Sequence, residues 1–135
     1  MIKITKEILE QIIRHGREEA PIEACGYLAG TNGEAVQSYR LRNIDRSPEH
    51  FSFDPAEQFE ALKKARAENL RLIAVYHSHP ASPARPSEED IKLAYDPDIH
   101  YIIVSLLNEP PDVKSFIIRN GKAEKEDVEV RDAEN

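Results

Sequence analysis

The chain has a single cysteine, Cys25, and no tryptophan. One thiol excludes an internal disulfide framework and a cysteine-rich zinc knot, so neither can staple the fold. No apolar run approaches the roughly 20 residues that a membrane helix needs. The amino-terminal stretch MIKITKEILEQI mixes charged and apolar residues at helix spacing, where a signal peptide would carry an uninterrupted apolar segment. The expected compartment is therefore the cytoplasm. Positive charge is also in deficit. With 18 Lys and Arg against 25 Asp and Glu, the net charge is -7, which argues against nucleic acid or an anionic membrane as partner.

What remains is an ordinary globular composition. At 135 residues, 40% of them hydrophobic, the chain has enough apolar material for one domain, spanning 1–135, with a real core. No linker, repeat or low-complexity segment divides it.

Apolar Ile8, Leu9, Ile12 and Ile13 recur among charged residues, which predicts an amphipathic helix over about Thr5 to Glu19, limited by Pro21. EACGYLAG reads as a short buried strand, TNG as a turn and AVQSYRL as the returning strand. After a turn-rich loop, RNIDRSPEHFSF, the residues Asp54, Pro55 and Glu57 form a helix start. That helix should carry Phe59, Ala61, Leu62 and Ala65 inward and end near Asn69. LIAVY is too continuously apolar for a strand with one wet face and predicts a central strand. A short helix from Ser87 to Tyr95 should follow, then the strands YIIVSL and VKSFII, with a tight hairpin at Asn120-Gly121. The closing EVRDAEN reads as fraying. The fold class this order predicts is α/β, a mixed sheet flanked by helices, because each amphipathic helix needs an apolar sheet face to cover.

One stretch carries more than fold. In VYHSHPASPARPSEED, His77 and His79 lie two apart on a strand, so both imidazoles point to one side and Ser78 to the other. Pro80, Pro83 and Pro86 restrict the loop that leads to Ser87. That serine followed by three acids is a good helix start on capping grounds alone. The same turn can bring Asp90 to the two histidines as a third ligand. Two imidazoles and one carboxylate leave the fourth tetrahedral position of zinc open, as in catalytic rather than structural sites. Non-haem iron uses such a set too, but no redox cosubstrate site is evident, and zinc hydrolysis is the preferred reading. A hydrolase also needs a carboxylate to carry a proton. Glu23 precedes the strand CGYLAG and is the best placed, although composition does not separate it from Glu18 or Glu19.

Glu23 ahead of a small apolar strand, followed by HSHPASPARPSEED in the pattern H-x-H-P-x(6)-S-x-x-D, resembles the JAMM (MPN-plus, Mov34/PAD-1) zinc metalloprotease family. The resemblance extends over nearly the whole chain and implies that family's fold, a cytidine-deaminase-like mixed sheet flanked by helices. Carried over by position, it makes His77, His79 and Asp90 the ligands of one zinc ion. Glu23 becomes general base and then acid, and Ser87 a hydrogen-bond donor to the developing oxyanion. A Ser87 hydroxyl committed to a backbone cap would weaken that last role. EACGYLAG, YHSHP, RPSEEDIKLA and HYIIVSL are similar to a compact prokaryotic branch that includes the CysO-cysteine hydrolases. This implies a ubiquitin-like sulfur-carrier protein with a glycine-ended tail as partner and release of cysteine as the reaction. A peptidase trimming a carrier precursor, a deubiquitinase-like isopeptidase and a non-catalytic binding domain are the alternatives. Of the remaining candidates, Cys25 reads as a small buried residue, His50 as a residue of the substrate rim, and His15, on the first helix, and His100, at the start of a strand, have no paired ligand spacing.

Overall fold

In the computed structural model, which describes residues 1–132, the chain runs β1 (Ile2–Thr5), α1 (Lys6–Glu19), β2 (Cys25–Thr31), β3 (Glu34–Leu41), α2 (Pro55–Ala67), β4 (Arg71–His79), α3 (Glu88–Lys92), β5 (His100–Ser105), β6 (Asp112–Arg119), β7 (Lys122–Glu126) and β8 (Val128–Arg131). All eight strands join one mixed sheet in the order β7-β6-β5-β4-β2-β3-β1-β8. β4 is central as expected, antiparallel to β2 and parallel to β5. No helix among the described residues is long and apolar enough to cross a membrane.

Helix α1 begins where Thr5 caps it, the hydroxyl accepting from the Ile8 N–H at 3.3 Å. Its apolar stripe, Ile8 and Ile12, packs with Leu28, Tyr76, Ile102 and Val104 on one face of the sheet. On the other face a smaller cluster forms from Ala84, Ile103, Phe116 and Ile118, with Ile91 and Ala94 against it. Helix α2 contacts β3 and β4, and Asp54 caps it as the sequence predicts, accepting from the Ala56 N–H at 3.0 Å. The Asn120-Gly121 hairpin is also as expected. Both residues have positive φ, 51° and 73°, which a two-residue turn of this kind requires.

The structure departs from the sequence expectations at both ends. Ile2–Thr5 is a strand, not an approach to the helix: Ile2 and Ile4 are fully buried, and β1 lies parallel to β3 and β8. Four residues, IKIT, are too few for alternation to stand out beside the helical stripe that follows. EVRDAEN does not simply fray, because Val128–Arg131 forms β8 beside β1, while residues 133–135 lie outside the described ones. Of the charges on that strand, Arg131 pairs with Glu34 at 3.2 Å and Glu129 is exposed. Phe59 is 59% exposed, so α2 uses Ala61 and Ala65 as its buried contacts. Helix α3 stops at Lys92, short of Tyr95, which is exposed.

Strands β7 and β8 are at opposite edges of the sheet, yet only Asp127 separates them in sequence. Two Cα steps span at most about 7 Å, so the two edges meet there. The sheet therefore curls around α1, which touches β1, β3, β4, β5 and β8.

A close approach between β2 and its neighbours holds the strand that carries the histidines. Gly26 pairs with Tyr76, and a Cβ at Gly26 would stand 2.4 Å from the Tyr39 carbonyl oxygen and 2.5 Å from the Tyr76 ring. Backbone on one side and a buried ring on the other leave little to yield. Gly26→Ala is expected to cost about 1–3 kcal/mol or more by overpacking, read as a lower denaturation midpoint. An unchanged midpoint would contradict this packing.

Candidate metal centre

Alternation along β4 sends Ala74, Tyr76 and Ser78 to the α1 side and His77 and His79 to the opposite face. Ser78 does face away, as expected: its hydroxyl is buried and accepts from the Ala24 N–H at 2.8 Å. His77 and His79 are both buried, with Nε2 atoms 3.1 Å apart. Asp90, in the first turn of α3, brings Oδ2 to 3.2 Å from each Nε2. The three residues picked out in the sequence thus converge on one point.

His79 Nδ1–H donates to the Pro83 carbonyl at 2.9 Å. In the neutral ring this places the lone pair on Nε2, facing the His77 ring and the Asp90 carboxylate. Acceptors so close repel unless a proton or a cation lies among them, and a divalent cation satisfies all three together. With metal bonds of about 2.1 Å, the edge of a coordination tetrahedron is about 3.4 Å. The observed 3.1–3.2 Å separations fit that edge. The donor set therefore fits zinc, and two imidazoles with one carboxylate leave a position for water.

The charges follow from burial and proximity. Burial pushes His77 below its ordinary pKa. His79 is lowered by burial but raised more by Asp90, the Pro83 carbonyl and Glu23. Burial raises Asp90, yet its hydrogen bonds to the two histidines outweigh that and hold it well below the usual carboxylate range. Asp90 also closes a capping box with Ser87: the Ser87 N–H donates to Oδ2 at 2.9 Å, and the Asp90 N–H donates to Ser87 Oγ at 3.0 Å. Ser87 is therefore a cap, but through its oxygen lone pair, which leaves the hydroxyl proton uncommitted at an exposed position.

Glu23 sits just ahead of β2 with its side chain 3% exposed and Oε1 buried without a hydrogen-bond partner. Burial lifts its pKa to about 8, with Asp90, Glu89 and Glu49 adding to the rise and His79 opposing it. Its backbone is fixed on both sides: the N–H donates to the Ser47 carbonyl and the C=O accepts from Asn43 Nδ2. Glu18 and Glu19, by contrast, are exposed on α1. A buried carboxylate with an unused oxygen is suited to moving a proton.

Cys25 pairs across the sheet with His77, so it lies near the site in register, but it takes no part in the convergent group. It is fully buried with Sγ 3.8 Å from the Leu41 carbonyl, and burial pushes the thiol up to about 12. His15 serves the core instead. Burial, with Arg40, lowers it to about 4, and the neutral ring accepts from the Tyr76 hydroxyl at 2.7 Å. His100 pairs with Glu126, away from the site.

Beside the metal ligands opens a cleft of about 390 Å³ lined by Phe51, Phe53, Val75, Tyr101 and Ile103, with His50 among its residues. Sequence reasoning missed two residues here, Phe51 in the cleft wall and the buried Asn43. Phe51 lies over the His77 ring at a centroid distance of 4.7 Å. Asn43 organises the loop that delivers it, donating to the Glu23, Ser47 and His50 carbonyls and accepting from the Asp45 and Ser52 N–H groups. The turn-forming run RNIDRSP signals a loop, but nothing in it signals that one amide ties the loop together.

Residues 5–119 match the family described as prokaryotic homologs of the JAB domain. The chain is 32% identical over 133 residues to the CysO-cysteine peptidase of Mycobacterium tuberculosis, covering 96% of this chain and 91% of that protein. It is 34% identical over 97 residues to the desampylase of Pyrococcus furiosus, covering 72% and 67%. Among solved structures, a Desulfitobacterium hafniense protein determined in solution superposes with a TM-score of 0.90 at 42% identity, covering 98% of this chain and 94% of that one. A JAB1/MPN domain protein of Archaeoglobus fulgidus shares the fold, with a TM-score of 0.66 at 24% identity and 96% of each chain covered.

Proposed function

Because the chain belongs to the prokaryotic JAB-domain family, we propose that it is a zinc-dependent hydrolase of the amide bond at the carboxyl end of a ubiquitin-like sulfur-carrier protein. Cysteine is the group it releases. The observation that carries this reading is the convergence of His77, His79 and Asp90, of which His77 and Asp90 line an apolar cleft, together with a buried, unpartnered Glu23 close enough to feel the charges of His79 and Asp90. The name of the mycobacterial relative, a CysO-cysteine peptidase, supports the choice of bond. The name desampylase, borne by the archaeal relative, keeps cleavage of carrier–protein conjugates as the second reading.

His77, His79 and Asp90 would hold one zinc ion through Nε2, Nε2 and Oδ2. When bound, zinc supplies Lewis acidity toward water and toward the carbonyl of the scissile bond. Glu23 takes a proton from the attacking water and returns it to the leaving nitrogen, which its raised pKa favours for the return. The Ser87 hydroxyl, with its proton free, donates to the carbonyl oxygen as negative charge grows there. The carrier's glycine-ended tail runs extended into the cleft, where small residues let its backbone come close to Phe51 and the rim.

Zinc-loaded protein is expected to cleave a carrier–cysteine conjugate, giving free carrier and cysteine by product mass. A conjugate of carrier with a lysine side chain tests the second reading in the same assay. Intact, zinc-loaded protein that cleaves neither would overturn the proposed activity.

A further inference from the structure

The proposed reaction leaves one requirement unassigned. An amino acid released from an amide carries an α-carboxylate close to the bond that breaks, and burying that charge without a partner is costly. The cleft beside the metal ligands is lined by apolar and aromatic side chains together with Ser52, Gln58, Glu89, Asp90 and Asp96, and among the described residues by no lysine or arginine. His50 is the cleft-lining side chain outside the metal ligands that can carry positive charge.

His50 is held for such a task. Its Nδ1 lies 3.1 Å from Asp45 Oδ2, and the same Asp45 oxygen accepts from the Ser52 hydroxyl at 2.6 Å. Asp45 is kept below its ordinary pKa by the Ser52 hydrogen bond, which outweighs burial, so it stands behind the ring as a carboxylate. The His50 carbonyl accepts from Asn43 Nδ2 at 2.9 Å, which ties its backbone to the buried amide that also holds Glu23. Next in sequence, Phe51 covers the His77 ring, so the loop carries His50 to the flank of the ligand set. With both ring nitrogens protonated, Nδ1–H stays on Asp45 and Nε2–H is left to donate to an anion. Among the described residues Nε2 has no partner, and the side chain is 44% exposed.

We propose that His50, oriented by Asp45, is a specificity-determining residue that receives the α-carboxylate of the amino acid released from the carrier's end. This rests on the activity proposed above, and it separates the two conjugate classes. A free amino acid leaving group presents a carboxylate to His50, whereas a lysine within a protein chain does not.

Two measurements test it. Zinc-loaded protein is titrated with S-methyl-L-cysteine, whose blocked thiol keeps it from acting as a thiolate ligand, and with the corresponding amide. The acid is expected to shift the His50 ring resonances in ¹H–¹⁵N spectra and the amide to leave them in place. In turnover, His50→Gln should raise KM for a carrier–cysteine conjugate about tenfold, the loss of one charge-assisted hydrogen bond. Its kcat, its zinc content and its KM for the carrier–cysteine amide should stay unchanged. His50 resonances that ignore the acid would overturn the proposal, as would a KM that rises equally for acid and amide. Resonances that move while wild-type protein cleaves no conjugate would support the carboxylate site and count against the activity alone.

Discussion

Glu23→Gln is expected to keep its zinc and lose turnover by about 10²–10⁴-fold, the usual contribution of a positioned general acid–base group. Glutamine fills the same buried space beside β2 but cannot take the proton. Normal turnover in this variant would show that another group moves the proton. The same substitution has a second, opposite effect on the metal-free protein. Glu23 titrates near 4.5 when the chain is unfolded and at about 8 when folded, chiefly because burial disfavours its charge. Across that window the folded state binds the proton more tightly, so the metal-free wild type loses stability as pH rises from about 4.5 to 8. Glutamine carries no such charge. Metal-free Glu23→Gln should therefore match the wild type near pH 4 and exceed it by a few kcal/mol at pH 8 and above, read from denaturation midpoints. Parallel pH profiles would mean that the carboxyl is solvated in solution. A variant more stable and less active than its parent is what a group retained for chemistry produces.

His77→Ala is expected to abolish stoichiometric zinc. Loss of a residue that merely orients a ligand costs 10–100-fold in metal affinity, and loss of a ligand should exceed about 100-fold. The variant leaves His79 and Asp90 as a two-donor remnant and removes the ring under Phe51. Elemental analysis after dialysis against a competing chelator reads the outcome, and the circular dichroism spectrum should stay that of the wild type because β4 is paired on both sides. Full zinc occupancy in His77→Ala would remove this side chain from the ligand set.

The parts of the site that sequence made legible are those set by short, regular geometry. Period-two alternation puts His77 and His79 on one side of a strand, and a capped turn brings Asp90 back to them. Position ahead of CGYLAG makes Glu23 a candidate and the resemblance sharpens the choice over Glu18 and Glu19, but its burial depends on the loop that closes over it, and no periodicity encodes a loop. The same holds for Asn43 and Phe51, whose roles arise from contacts between a turn-rich run and a strand far along the chain. In the fold, long periodic segments were readable and the two terminal strands were not. IKIT and VEVR are each too short and too charged to be recognised alone, and they become strands by pairing with one another. Phe59 departs in the opposite sense: helical spacing places this aromatic in the core, but α2 meets the sheet through alanines and leaves the ring outside.

The meeting of β7 and β8 across Asp127 bears on the order in which the molecule can be made. During synthesis, residues 23 to 90, with every proposed metal ligand and the proton carrier, emerge well before Val128–Arg131. Until those last residues arrive, β1 has a partner only on its β3 side. Closing the sheet around α1 thus joins segments from opposite ends of the sequence, a contact of high sequence separation and so a slow one to form. The chemistry-bearing half of the chain is written before the interior that supports it can be sealed, and a nascent chain in that interval leaves the β8 side of β1 as an unpaired strand edge.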